Sequence, residues 1–285
     1  MRRNFIVILA VLLISVPAVG QLEIPQASQQ ASVSQTIGTT EITINYHRPG
    51  VRGRAIWGGL VPWDQPWRMG ANEATTIEFS GPVKVEGQDV PAGKYSFFAI
   101  PSKDKWTLVI NKDPEQWGAY GYDASKDQLR ASVTPSTGPR TEWMRFTIDP
   151  VTPSSAIVNL NWDTVSVPMR VDVDVAAGMW TAVDAAMKKL KADEAQTLAY
   201  AANWALDSGE RMSEGLAWVD QSIAITGENV FNQWTRARLL HKLGRTGDAV
   251  PVIEKALAMA KTGNMPADFI RVLEGTQAEI RGTKR

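Results

Sequence analysis

Cysteine is absent from the 285-residue chain, and only two histidines, His47 and His241, occur in it. Without Cys there are no disulfides, no thiolate nucleophiles, no thiolate zinc sites and no lipid on an N-terminal Cys. Two distant histidines do not make a zinc ligand set, so no metal is expected. Neither a G-x-G-x-x-G turn nor a Walker-type loop is present, which argues against a nucleotide; no cofactor is expected. The G-x-S-x-G elbow of serine hydrolases is missing too. An excess of one charge is also lacking, since 30 Lys and Arg balance 30 Asp and Glu. Nothing therefore asks for a nucleic-acid partner. After residue 20 no apolar run is long enough to span a bilayer, so no membrane span is expected once the N-terminus is removed.

What the chain does have begins at that N-terminus. Met1-Arg2-Arg3 is a short basic segment, Phe5 to Val16 is almost unbroken apolar sequence, and Pro17 ends it. Ala18-Val19-Gly20 then offers small residues for cleavage before Gln21. This order predicts a cleavable signal peptide over residues 1–20 and a periplasmic or secreted product. The other surplus is tryptophan, with eleven residues.

Residues 21–30 are rich in Gln and Ser and read as a flexible lead-in. From residue 31 to 175 the pattern is β throughout. Glu41 to Tyr46 alternates polar and apolar, as a strand with one buried face must. Further strands are expected at Thr75–Phe79, Val83–Val85, Tyr95–Ile100, Trp106–Ile110, Leu129–Val133, Trp143–Ile148, Ile157–Trp162 and Val165–Val175. In the Tyr95 strand, Tyr95 and Phe97 share one face and Phe98 takes the other. The punctuation by Gly, Pro, Asn and Asp, with no helical period between strands, predicts an antiparallel β-sandwich.

Composition changes near Ala176, where apolar residues begin to recur at three- and four-residue spacing. Residues 176–285 read as a helical repeat domain. Shifted by 34 residues, Tyr200 falls on Trp234, Leu206 on Leu240, Gly215 on Ala249, Val219 on Ile253 and Ile223 on Leu257. The second copy, with Trp234, Ala237, Leu243-Gly244, Ala249 and Ile253, resembles a tetratricopeptide repeat. The first departs from it, with Gly209-Glu210 at the turn. The fold class is thus multidomain, an antiparallel β-sandwich followed by tetratricopeptide-like helical hairpins, about six helices in all.

The β region resembles the bacterial domain of unknown function 2911 family over roughly residues 26–175. The run from Arg48 to Thr75 carries most of the likeness, with Pro91–Pro101, Trp106–Asn111 and Gln116–Asp123 in the same order. The resemblance implies architecture and export, and it assigns no chemistry.

The segment from Arg48 to Glu73 is rich in Gly and Pro and poor in strand pattern, so it reads as a long ordered loop on a rigid scaffold. It holds Arg48, Arg52, Arg54 and Arg68, interleaved with Trp57, Trp63 and Trp67, and closes on Asn72 and Glu73. Arg forks bind carboxylates or phosphates bidentately, and indoles cover apolar sugar faces. These nine residues are the candidate ligand contacts for a glycan or small polar ligand. The competing reading is structural, with Arg satisfying loop carbonyls, Trp capping the core and Arg68 pairing Glu73. Trp117, Tyr120 and Tyr122 lie in a second loop that is a candidate border for the same pocket.

No catalytic signature is established. Glu73 and Asp64 are candidates for the two carboxylates of a glycoside hydrolase, although loop spacing does not fix their separation. His47 is a candidate general base. Asp172 and Asp174 lack calcium-loop spacing and read as a solvated face. In the helical part, Trp180, Trp204, Trp218 and Trp234 read mostly as core, His241 as structural, and the repeats as a surface for a protein partner. The expected function is an exported cell-envelope binding or scaffold protein, with a glycan-directed hydrolase as the alternative.

Overall fold

A computed structural model describes residues 25–282. The signal-peptide reading of residues 1–20 lies outside them. Ten strands come first, then six helices among the described residues. The strands are β1 (Gln29–Ile37), β2 (Thr40–Arg48), β3 (Thr76–Phe79), β4 (Val83–Val85), β5 (Gln88–Val90), β6 (Gly93–Pro101), β7 (Trp106–Asn111), β8 (Asp127–Val133), β9 (Ser136–Thr152) and β10 (Ser155–Asp172). They form two antiparallel sheets, one ordered β1-β2-β3-β6-β7-β8 and the other β5-β4-β10-β9.

Period-2 alternation decides which side chains lie between the sheets. On β2, Ile42, Ile44 and Tyr46 are buried, while Thr43, Asn45 and His47 point the other way. Tyr95 and Phe97 of β6 join the core with Trp106, Leu108 and Ile110 of β7. The second sheet answers with Phe146, Leu160, Trp162, Val167 and Met169. Phe98, on the opposite face of β6, packs in a separate small cluster with Ala74 and Val109 under Tyr122.

Several elements differ from the sequence expectation: β5 has no expected counterpart, β9 runs well beyond Trp143–Ile148, and β1 and β10 differ for identifiable reasons. β1 begins at Gln29, inside the stretch read as a lead-in. It is an edge strand with a largely polar exposed face, so it carries little hydrophobic signal. β10 is a single strand where two were expected. Asp163-Thr164 looks like a turn, but Asp163 takes a positive φ and is absorbed as a bulge against β9.

The sheets are sewn together at one corner. Past the end of β2, the Met144 amide donates to Pro49 O at 3.0 Å, and the Val51 amide to Glu142 O at 2.8 Å. Tyr46 closes the same corner from inside, its hydroxyl accepting from the Phe146 amide at 3.2 Å.

Asp174 then caps the first helix by accepting from the Ala177 amide. The helices are α1 (Val175–Lys188), α2 (Ala195–Ser208), α3 (Met212–Thr226), α4 (Val230–Lys242), α5 (Thr246–Thr262) and α6 (Ala267–Ile280). Thirty-four residues separate the starts of α3 and α5, the repeat period read in the sequence. Gly215 shows why that register demands small residues. A Cβ there would sit 2.6 Å from Ala205 Cβ, where α2 and α3 cross. No helix of the described residues is long and apolar enough to cross a membrane.

Trp162 is 1 % exposed and Trp117 is 60 % exposed, so truncating them should have opposite consequences. Trp162→Ala is expected to cost about 3–5 kcal/mol in a denaturant titration. Trp117→Ala should change stability by less than about 0.5 kcal/mol.

Candidate functional site

Residues 49–75, the connection from β2 to β3, form an ordered loop held from several sides. Four of the eight non-glycine residues with positive φ among the described residues fall in it, namely Arg52, Asp64, Met69 and Asn72. Backbone in that region persists only where its surroundings impose it. Gly58 illustrates the constraint. Its φ is +76°, and a Cβ there would collide with the Trp63 indole at 2.2 Å.

Trp57 and Trp67 anchor the loop between the sheets. Trp67 stacks on Trp162 of β10 at a centroid distance of 5.8 Å, and Trp57 meets Trp106 of β7 edge-on at 4.7 Å. Trp67 is 7 % exposed and Trp57 is partly buried against the same core. These two indoles therefore plug the end of the sandwich. Trp63, half-buried, covers Gly58.

Beyond the plug, the chain runs beside β6. Trp67 and Ala99 exchange both backbone bonds, at 2.7 and 2.9 Å, and Asp64 N reaches Pro101 O at 2.8 Å. Pairing resumes where the Phe97 amide donates to Thr75 O at 2.7 Å. Between these points residues 69–74 bulge away from β6. A 3.2 Å bond from Thr75 N to Arg68 O and a 2.8 Å bond from the Thr75 hydroxyl to Met69 O clamp the base of that bulge.

The bulge meets a second loop, residues 112–126. Ala74 N donates to Gln116 O at 2.9 Å and Gly118 N to Asn72 O at 3.1 Å, with Glu73 and Trp117 as bridge partners. The buried Asn111 side chain organises this second loop. Its Nδ2 donates to Asp123 O and to Asp127 Oδ1, while its Oδ1 accepts from Asp113 N and Gln116 Nε2. Tyr122 donates to Asp127 Oδ2 at 2.8 Å, and Arg130 grips both partners. Burial, then the bond to the Asp127 carboxylate, pushes the Tyr122 phenol up to about 12.

These contacts build a cleft of about 730 Å³ on the outer face of the larger sheet. Its floor is Asn45, His47 and Thr76, its sides include Glu73, Lys94, Glu115 and Gln116, and Trp117 stands at its rim. His47 Nδ1 lies 3.3 Å from Glu73 Oε2, with His47 14 % and Glu73 56 % exposed at their side chains. The cleft thus offers an imidazole beside an orienting carboxylate, a cation, amide donors and an exposed indole. That set can hold a polyhydroxylated molecule or move a proton.

The DUF2911 family model, described as "Protein of unknown function", matches residues 28–171. The chain belongs to that family. No curated protein matches the chain, and no solved structure does. The matched span of DUF2911 stops at Val171, short of α1, and contains the whole lining of the cleft.

The remaining sequence candidates lie outside the cleft, and Arg52, Arg54, Trp67 and Arg68 line a separate cavity. Arg54 donates to Val51 O and Gly50 O, Arg48 to Met144 O, and Arg52 to Ala27 O, so these guanidiniums hold backbone carbonyls. Asn72 donates to Ser28 O at 3.4 Å. Asp64 is exposed, accepts from the Ser102 hydroxyl, and does not line the cleft that holds Glu73. Arg68 does not pair with Glu73, whose carboxylate faces His47. Among the described residues no group of three or more His, Asp or Glu is placed to hold a metal ion.

Sequence reading missed Asn45, Thr76, Lys94, Glu115 and Gln116. The outward positions of β2 were available from its alternation, since Thr43, Asn45 and His47 are the residues that Ile42, Ile44 and Tyr46 leave for the other face.

Tyr122 makes the wall of the cleft pH-dependent. Its raised pKa means that the folded chain keeps a proton that the unfolded chain loses near pH 10. The stabilisation is therefore complete below about pH 10 and is lost as pH rises toward 12. Burial raises the Tyr95 phenol too, so two of the chain's five tyrosines should ionise late, and Tyr122→Phe should reduce that late absorbance without abolishing it.

Proposed function

We propose that this DUF2911 chain is an exported binding or scaffold protein of the cell envelope, whose β domain holds a glycan or small polar ligand in the cleft over His47 and Glu73. The observation that carries this reading is the cleft itself, a polar floor on a rigid sheet with the exposed Trp117 at its rim. An indole that is not needed for the core, set beside amide and charged donors, suits a ring with one apolar face and an edge of hydroxyls. Export rests on the N-terminal sequence alone, the basic Met1–Arg3 followed by the apolar Phe5–Val16.

The helical repeats would engage a protein partner. Support comes from a cavity of about 510 Å³ between α2, α3 and α4, where the exposed Tyr200 and Phe231 flank Asn203 and Asn232. A hydrolytic reading draws support only from the His47–Glu73 pair, a base with an orienting carboxylate, because Asp64 does not share the cleft.

Calorimetry of the full chain against a panel of soluble glycans and small polar compounds tests the proposal. At least one panel member should bind, and Trp117→Ala and His47→Ala should each weaken it about tenfold. Failure of the whole panel to bind, or equal binding by both variants, would reject the cleft. Recovery of the bound compound in altered form, abolished by His47→Ala, would replace binding by hydrolysis.

A further inference from the structure

A second cavity, of about 290 Å³, opens on the loop and, unlike the mixed-charge cleft, has only cations among its charged lining residues. It shares no lining residue with the cleft. Arg52, Arg54 and Arg68 line it together with Leu60, Trp67 and Trp162, and no Asp or Glu does so among the described residues. An adjoining cavity of about 460 Å³, lined by Arg48, Arg52 and Trp143, is likewise free of lining carboxylates.

The arginines are not equivalent. Arg54 is committed to Gly50 O at 2.6 Å and Val51 O at 3.1 Å. Arg52 donates to Ala27 O at 3.0 Å and lies over the Trp143 ring at 5.5 Å. Arg68 is half-buried, and its guanidinium has neither hydrogen bond nor ion pair among the described residues. Its Nε is fully buried without an acceptor. A buried donor left without a partner keeps its full desolvation penalty, and a larger one when it is charged. Desolvation lowers the Arg68 pKa, yet a guanidinium starts so far above neutrality that it stays charged. The chain thus holds a charged fork at a small cavity, and the carboxylate beside that wall, Glu142, accepts from the Arg52 amide and not from Arg68.

We propose that this cavity is an oxyanion site, in which Arg68 takes the carboxylate or phosphate of a small ligand whose apolar body rests on Leu60 beside the edge of Trp67. The planar fork selects a carboxylate or phosphate head. The exposed Leu60, with the edge of Trp67 beside it, gives the site its apolar side. Arg52 and Arg54 contribute field, and Arg68 contributes the direct contact. The site is independent of the ligand proposed for the cleft.

Calorimetry of the full chain with benzoate, phenyl phosphate, inorganic phosphate and benzamide tests it. Benzoate or phenyl phosphate should bind saturably, and whichever binds more tightly identifies the head group. Benzamide, equal in shape and uncharged, should bind at least about tenfold more weakly than benzoate. Arg68→Gln should reduce the affinity for the tighter anion at least about tenfold, with Lys84→Gln, an exposed cation that lines neither cavity, leaving it unchanged. Should Arg68→Gln not fold, Arg68→Lys keeps the charge, loses the fork and is expected to weaken binding by a similar factor. Benzamide binding as well as benzoate, or undiminished anion binding by a folded Arg68 variant, overturns the site. Inorganic phosphate binding as tightly as phenyl phosphate overturns its apolar half.

Discussion

The contact among Trp57, Trp67, Trp106 and Trp162 is the constraint on which the rest of the β domain depends. Two of these indoles belong to the loop after β2, one to β7 in the first sheet and one to β10 in the second. A sandwich needs its ends closed as much as its faces, because an open end wets the core. Here the closing group is the loop itself, so closure and loop geometry are one event. Trp57 and Trp162 each bury an indole N–H without a hydrogen-bond partner, at a cost of about 1–3 kcal/mol apiece. A fully buried indole gains more than that from the area it removes from water. The cluster is therefore favourable despite its two orphan donors, and the loop cannot leave without exposing four large rings.

Once the plug is fixed, the position of Glu73 follows by short steps. The backbone exchange between Trp67 and Ala99 sets the register of the loop on β6, and Thr75 restores it four residues before Phe79. The seven intervening residues have no backbone partner on β6, and residues 69–74 bulge outward. Their bonding to Gln116 and Gly118 turns the bulge and the second loop into a small two-stranded wall standing on the outer face of the sheet. His47 lies at the foot of that wall because β2 alternates, and its neighbour Tyr46 is claimed by the core. Two separate requirements, plugging the end and pairing the bulge, thus deliver a carboxylate to an imidazole.

How much of this the sequence discloses depends on the range of the interaction. Local alternation and the 34-residue helical register are written in neighbouring residues, and strands such as β2, β4 and β7 and the six helices follow from them. The edge strand β1 is nearly silent because its outer face is polar, and β10 looks interrupted because Asp163 imitates a turn. The site is harder. Arg, Trp, Asn and Glu between residues 48 and 73 mark the loop as chemically rich, yet composition cannot say which side chains face inward. Trp67 is buried because Trp162 stacks on it from nearly a hundred residues away, and Glu73 meets the second loop 44 residues on at Trp117. Such pairings belong to the assembled sandwich and not to any window of sequence.

The two cavities show what such a loop can do that a strand cannot. Along a strand, neighbouring residues on one face share one environment, so charges of one sign accumulate or alternate with the pleat. The loop instead turns Arg52, Arg54 and Arg68 toward one basin and Glu73 toward another, although few residues separate them. The chain entering β1 runs from one basin to the other. Ala27 and Ser28 line the arginine cavity, Gln30 lines the cleft, and the Asn72 side chain ties the loop to Ser28 O between them. Opposite charges held this close would otherwise pair, as Arg68 and Glu73 are free to do in an unfolded chain. Their separation in the fold gives Glu73 a partner in His47 and leaves Arg68 without one, so the two basins differ in charge although few residues separate them.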